Sequence, residues 1–418
     1  MSWEQPGQHH TNRRPALLFS ILCWVVVFGA LFWLCGVLLT QQWLWFSVPD
    51  PDDTNQEFFE LLTSVLATIG GIIAISYLVI KYRERSDQER EQNLLQAQQI
   101  NQDLRAAIEQ LGHDKPVVRI AGVHALLDIS DEQGGIFKQR IVDVLCGYLR
   151  ADRTATNDRA VESTILQAIH ERTRKEALRK GEGEVFLPRT VEASQLWCEC
   201  TFDLHGAIFT EELHLDGSTF NAHVNFAEAT FTAPANFHKT AFHGHADFNK
   251  SQFHGVTFFI ESKFESLDFT NATFYNQVSF IKSGFQDTAV FNGSKFHAAS
   301  DFKSTSFHKQ GLFNAVEFSH LASFNDAVFH NWATYSWGSF YGPTVFDDVS
   351  FRGPVAFNEA VFRHEISFDR AEFQTNHQFH QARFNPDYKA DVVFPEGVSQ
   401  KDGLPKGAQW NPPENNAH

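Results

Sequence analysis

A disulfide framework is the first thing this chain of 418 residues shows no sign of. Its five cysteines are an odd number, and two of them, Cys23 and Cys35, lie inside an apolar stretch. No disulfide framework suggests itself, and a reducing compartment fits. Cys198 and Cys200 form a lone C-x-C with no second Cys or Cys/His pair at ligand spacing, so they are expected to close a strand end rather than to hold a metal. Positive charge is scarce as well. The 34 Lys and Arg against 50 Asp and Glu leave a net charge of −16, which excludes a general affinity for nucleic acid or for anionic lipid headgroups. There is no nucleophile paired with a base, no phosphate-binding glycine loop and no carboxylate pair on an unusual loop. The sequence therefore predicts no catalysis, no metal and no cofactor.

Charge is missing locally too. Between Arg14 and Asp50 there is none of either sign, and residues 16–40 are long enough to cross about 30 Å of hydrocarbon as a helix. A second apolar run covers 61–80. The segment between them carries Asp50, Asp52, Asp53, Glu57 and Glu60 without Lys or Arg, whereas Arg13 and Arg14 precede the first run and Lys81, Arg83 and Arg85 follow the second. Positive charge marks the inner side. The expectation is a two-helix transmembrane hairpin over 16–80 behind a cytoplasmic tail at 1–15, with both termini cytoplasmic and Trp43, Trp45 and Phe46 at the outer interface. Ala67 and Gly71 supply the small-residue spacing that lets two membrane helices approach.

Residues 81–112 read as a polar amphipathic helix. Leu94, Ala97, Asn101, Leu104, Ile108 and Leu111 fall at alternating steps of three and four, as a and d positions do, so 94–111 could pair two copies or pack on the helices that follow. Gly112 stops the helix and Pro116 opens the next. Three further amphipathic helices are expected at 117–129, 136–149 and 159–178, a compact HEAT-like connector within 113–190. Arg119 and Arg150 are read as partners of acidic neighbours on the helix surface, and His124 and His170 as packing or surface residues.

What the chain has in excess is phenylalanine: 42 in all, 34 of them between Phe202 and Phe394. From Phe220 onward they recur after alternating steps of six and five, with one slip at Phe269 and Phe274 and with Tyr335 standing in once. No straight strand and no ordinary helix stripe has that period. A fixed short period means stacked repeats. The residue two before each aromatic is small or β-branched, as at Val224, Ala229, Ala235, Thr240 and Ala246. A narrow tube admits one ring per side only if its inward companion is small. The expected structural core includes Phe226, Phe231, Phe237, Phe242, Phe248, Phe253, Phe280, Phe285, Phe291, Phe296, Phe302, Phe307, Phe318, Phe324, Phe357, Phe362, Phe368 and Phe373. Four sides give about 22 residues per turn, about nine turns and a rod of roughly 40 Å. Pro234, Pro343 and Pro354 fall inside six-residue steps and read as corners. The fourteen histidines of 196–394 form no dense ligand cluster.

The A-x-F-x-x pattern over 196–394 resembles the pentapeptide-repeat family. The helical segments 107–112, 118–126 and 144–150 are similar to the connector of its bacterial membrane-anchored members. The resemblance implies a right-handed quadrilateral parallel β-helix, an all-β solenoid preceded here by the hairpin and connector, with the tail at 395–418 either covering the last coil or unstructured. It also implies a non-enzymatic scaffold at a bacterial inner membrane with an unidentified protein partner. A second implication comes from relatives that mimic DNA and bind DNA gyrase; residues 196–394 hold 22 acidic and 12 basic side chains, the matching sign. Direct nucleic-acid binding is not expected. A third reading makes the hairpin a membrane-state sensor signalling through the connector.

Overall fold

The computed structural model describes residues 26–27, 29–30, 33, 55–153, 158–174, 193–395, 398 and 400–410. Most of the first apolar run lies outside these, as do Arg13, Arg14, Trp43, Trp45, Phe46 and the acids at 50–53. Within that run Val26, Val27, Gly29, Ala30 and Trp33 are helical. Two compact units divide the chain, Met1–Asn93 and Leu94–His418.

The second apolar run and the polar stretch after it, expected as separate elements, are one helix, α1, Asn55–Leu111. No proline interrupts these residues, and Gly70 and Gly71 weaken a helix by only about 1 kcal/mol each without ending it. Glu57 and Glu60, expected in the connecting loop, lie within its first turns. Its apolar portion has a mean hydropathy of 2.1 and none of it is buried. Among the described residues it is the one helix long and apolar enough to cross a membrane.

In the second unit the end of α1 packs within its own chain. Leu104, Ala107 and Leu111 are buried, whereas Leu94 and Ile108 are exposed and Asn101 donates to the Ala97 carbonyl. The heptad stripe is thus split. Its C-terminal half is consumed by the chain's own core, which removes Leu104 and Leu111 from any seam between copies. Helix α2, Pro116–Gln133, crosses α1 at Gly122, where a Cβ would sit 2.7 Å from the Leu111 nitrogen and 2.8 Å from the Ala107 oxygen. Gly134 and Gly135, both at positive φ, separate α2 from α3, Gly135–Arg150. Helix α4, Arg159–Thr173, stops short of the expected 178, because Arg174 leaves it to bridge antiparallel to Ser218 of the coil.

From Phe202 the backbone winds into a solenoid of strands, most of them two residues long, each paired in parallel with the strand one turn away. Four such ladders run along it, which we number in chain order by one member each: face I (Phe226), II (Phe231), III (Phe237) and IV (Phe242). Typical registers are Ala289↔Gly311 on face I, Lys295↔Glu317 on II, Ser300↔Ala322 on III and Ser306↔Val328 on IV. The first turn starts earlier than the phenylalanine beat suggests. Leu204, Phe209, Leu215 and Phe220, all buried, keep the five-six-five cadence with leucine in two of the four places.

The slip at Phe269 and Phe274 has a structural counterpart. Ser266 pairs with His245 while Phe264 pairs with Phe242, so the upper strand lacks the residue that Gly244 supplies below, and that turn is one residue shorter. The bulge restores register and the ladder continues. At the far end the described part of the tail, to Trp410, is built in. Val392–Val393 extends face III, Gln409–Trp410 extends face II, and the antiparallel pair Gln400–Lys401 with Leu404–Pro405 buries Leu404 beside the last coil.

Inside, the rings of one face stack nearly parallel, as in Phe231–Phe253 at 4.5 Å and 3°, or Phe291–Phe313 at 4.7 Å and 2°. Rings of opposite faces meet edge to face, as in Phe280–Phe291 at 5.6 Å and 89°. Both arrangements suit the aromatic quadrupole. Where the small inward companion is Ser or Thr, its hydroxyl is satisfied by a backbone carbonyl. Thr240 donates to Leu215 at 2.7 Å, Ser294 to Phe269 at 2.7 Å and Ser251 to Phe248 at 2.8 Å. Hence alanine and serine are interchangeable there.

Candidate functional site

The expected core phenylalanines from Phe226 to Phe368 lie in these columns and are buried; Phe373, near the end, is half-buried. They fill the tube, so whatever the coil presents to a partner lies on its corners and outer strand positions.

The corners are of two kinds. Between faces I and II, and again between III and IV, the chain makes a tight turn. The residue three after each aromatic donates back to the aromatic's carbonyl, as Ala229 does to Phe226 at 3.0 Å, and the residue two after it has positive φ. Such a residue recurs every eleven positions apart from the shortened turn. The row includes Glu228, Lys239, Lys250, Glu261, Ser304, Ala315, Asp326, Trp337, Asp348 and Arg370. Glycine fills it at Gly206, Gly217 and Gly293. The repeat pattern in the sequence gives no sign of this backbone state, because most of its occupants are not glycine.

The other two corners, II to III and IV to I, are wider and take the six-residue steps. Pro234, Pro343 and Pro354 sit there, each offering its carbonyl to the coil before it: Leu213, Ala322 and Ala333 donate to them at 3.0, 2.9 and 2.9 Å. A proline has no N–H to lose at such a corner. Gly342 and Gly353 precede two of them because a Cβ would come within 2.5 Å of His320 and 2.3 Å of Asn331 on the coil beneath.

Outward side chains form ladders from coil to coil. Lys250 pairs with Glu228 at 3.0 Å, Lys239 with Glu261 at 3.8 Å, and Arg370 grips Asp348 through Nε and Nη2, both at 2.7 Å. These contacts hold the carboxyls of Glu228 and Asp348 below the usual range. All are solvent-exposed, and water screens them. A parallel ladder of rings runs up the II–III corner: His254 stacks on Tyr275 at 4.4 Å, Tyr275 on His297 at 5.4 Å, and Arg363 lies over Tyr341.

At the first coil the helices supply a polar lock. Glu162, buried on α4, accepts from the Thr210 nitrogen at 2.6 Å, the Thr210 hydroxyl at 2.7 Å, the Glu211 nitrogen at 3.0 Å and Arg153 Nη1 at 2.8 Å. Arg153 also donates to the Ile208 carbonyl. Arg172 holds Asp131 through two nitrogens, at 3.2 and 2.6 Å, and covers the ring of buried Trp197, whose indole nitrogen donates to Ser130. Arg119 and Arg150 do pair with acids, but not as surface neighbours on one helix. Arg119 is buried against Asp158, and Arg150 reaches Asp203 of the coil at 2.6 Å. Folding over long sequence separations decides those partners.

The remaining candidate groups are inert or solitary. Cys146 and Cys200 are buried thiols, pushed up to about 12 and about 11 by burial, and Cys198 is buried beside the Thr173 carbonyl. Such thiols are poor ligands and poor nucleophiles. His124 is exposed and His170 is half-buried beside Asp216. Among the described residues no group of three or more His, Cys, Asp or Glu could hold a metal ion.

No curated protein and no solved structure matches this chain. Residues 204–252 and 240–284 match the family model described as pentapeptide repeats (9 copies). These segments cover the first turns of the solenoid, and the same ladders continue past them. A pentapeptide-repeat solenoid is a non-catalytic architecture, which agrees with the inert groups just described. The opening turns of this parallel β-solenoid, residues 204–284, are thus similar to pentapeptide repeats.

Proposed function

We propose that this protein is a non-enzymatic scaffold, tethered to a bacterial inner membrane, whose coil offers its corners and outer strand positions to a protein partner. The observation that carries this reading is the single continuous core. From Leu104 at the end of α1 to Leu404 in the last coil, the buried apolar residues form one cluster, so helices and coil make one stiff body whose repeating phenylalanine columns face inward. A surface of that kind has fixed geometry and little chemistry, which is what a docking platform needs.

Tethering is supported by the apolar portion of α1, none of it buried, and by the Lys and Arg that follow it. The partition we propose is a tail at 1–15, spans at about 16–40 and 61–80, helical segments at 81–112 and 113–190, and a coil from 196 that takes in the tail to residue 410. Reporter fusions at His418 test the orientation: a cytoplasmic reporter is expected to be active, and an active periplasmic one would overturn it. Proximity labelling from the full-length protein in its membrane tests the scaffold, with a reproducible set of neighbours as the expected result.

A gyrase-binding DNA mimic is favoured only by the sign of the coil's charge. Against it stand the ladders in which Glu228, Glu261 and Asp348 are each matched by a cation, which breaks any continuous acidic face. A supercoiling assay with the detergent-solubilised chain distinguishes the two readings, and no inhibition or protection of gyrase is expected. For a sensor, the only supporting observation is that α1 runs uninterrupted from the apolar run into the connector.

A further inference from the structure

Three successive corners between faces IV and I, residues 306–312, 328–334 and 350–356, contain no Asp or Glu. They carry His308, Lys309, His330 and Arg352 instead, on a coil whose charge is otherwise acidic. His308 and His330 stack with ring centroids 4.8 Å apart and planes 9° from parallel. Arg352 continues the column, its Nη1 3.5 Å from His330 Nδ1. Trp332, two residues past His330, is 43% exposed beside them.

Of the coil's cations, Lys250, Lys239, Lys303 and Arg370 find a carboxylate one turn away. Among the described residues Lys309 and Arg352 have none within ion-pair distance. Like charges placed directly opposite one another across neighbouring strands are unfavourable. At His330 burial first, then His308 and Arg352, lower the pKa, which favours the neutral ring. Two unmatched cations, Lys309 and Arg352, with imidazoles between them and an exposed indole nearby, have the chemistry of a receptor for an anion with an apolar neighbour.

The surroundings narrow the class of anion. Asp287 lies one turn below Lys309 and Glu372 one turn above Ser350, while the tight corners on either side carry Asp326 and Asp348 on one edge and Glu359 on the other. The cationic strip is therefore one corner wide and about 10 Å long, three coils at about 4.8 Å. A nucleic acid strand or a bilayer surface would meet those flanking acids; a few residues of extended peptide would not. Resting on the scaffold reading and naming the partner's chemistry, we propose that Lys309, His330, Arg352 and Trp332 form a docking strip for a short acidic segment of a partner protein. Its carboxylates lie against Lys309 and Arg352, and an apolar side chain lies against Trp332.

The test uses the full chain in detergent micelles and a short fluorescein-labelled peptide of glutamates around one leucine, followed by anisotropy at low salt. Saturable binding is expected, weakened roughly tenfold or more in the Lys309→Ala/Arg352→Ala double variant and several-fold in Trp332→Ala, with Lys263→Ala unchanged. Absence of saturable binding, equal binding by the double variant, or tighter strip-dependent binding of a labelled oligothymidine would overturn the proposal. Proximity labelling in cells separates its failure from that of the scaffold. A neighbour set shared by wild type and double variant leaves the scaffold standing and removes the strip, whereas no set above background for wild type removes both.

Discussion

The two ends of the hydrophobic cluster are held together by opposite means. Within the coil, cohesion comes from identical rings stacked on one another, and each contact is repeated a turn later. Among the helices and where they meet the first coil, it comes from buried charges with unique partners: Glu162 with Thr210 and Arg153, Arg172 with Asp131, Arg119 with Asp158. The contrast is instructive. A column of phenylalanines is nearly indifferent to a shift by one whole turn, so it supplies stability without fixing position. The polar lock fits one arrangement only and sets where the coil begins.

This contrast can be broken at several points. Phe302→Ala, in mid-column, should cost about 3–5 kcal/mol and lower the midpoint of chemical unfolding while leaving the far-ultraviolet spectrum nearly unchanged. An unchanged midpoint would mean that the rings do not bear the coil. Glu162→Ala, which leaves Arg153 buried without its carboxylate, should cost about 3 kcal/mol or more. Hydrogen exchange should locate that loss at the helix–coil contact and leave later turns protected; uniform deprotection would erase the distinction drawn above. Tyr335→Phe runs the other way. Its hydroxyl is buried in the tube without a partner, and burial alone pushes its pKa well up, so removing it should stabilise by about 1–2 kcal/mol. A destabilised variant would point to a bound water as partner.

The smallest expected effect is at His170. Burial lowers its pKa, with Asp216 opposing, so below the ordinary value of 6.5 the unfolded chain binds more protons than the folded one. Stability should be level above that pH and decline as pH falls below it, and the slope just below pH 6.5 should shrink in His170→Gln. An identical slope in the variant would assign the titration elsewhere.

The coil was legible because phenylalanine is conspicuous and its period has no other explanation. Its first turn was harder to see, since Leu204 and Leu215 fill the same places without the same letter. The tight corners were invisible: Trp337, Lys250 and Arg370 carry no mark of positive φ, and only the closed ring of hydrogen bonds imposes it. The polar lock was equally hidden, because Glu162 and Thr210 are ordinary residues until folding brings them together across 48 positions. Helix ends followed local chemistry where glycine or proline stood, at Gly112 and Pro116. They did not at Thr173, where a contact with the coil ended the helix. The splitting of the 94–111 stripe also lay beyond periodicity, which identifies an apolar face but not the neighbour that covers it.

One consequence follows from the tight corners. Their rows accept Glu, Lys, Asn, Ser, Ala, Asp, Trp, Arg and Gln alike, since the backbone there is dictated by its neighbours and the side chain points away from the tube. Each row is thus a pegboard with holes about 4.8 Å apart, one per turn. Mutation can rewrite what is hung on it, in any order, while the shaft beneath stays as it was.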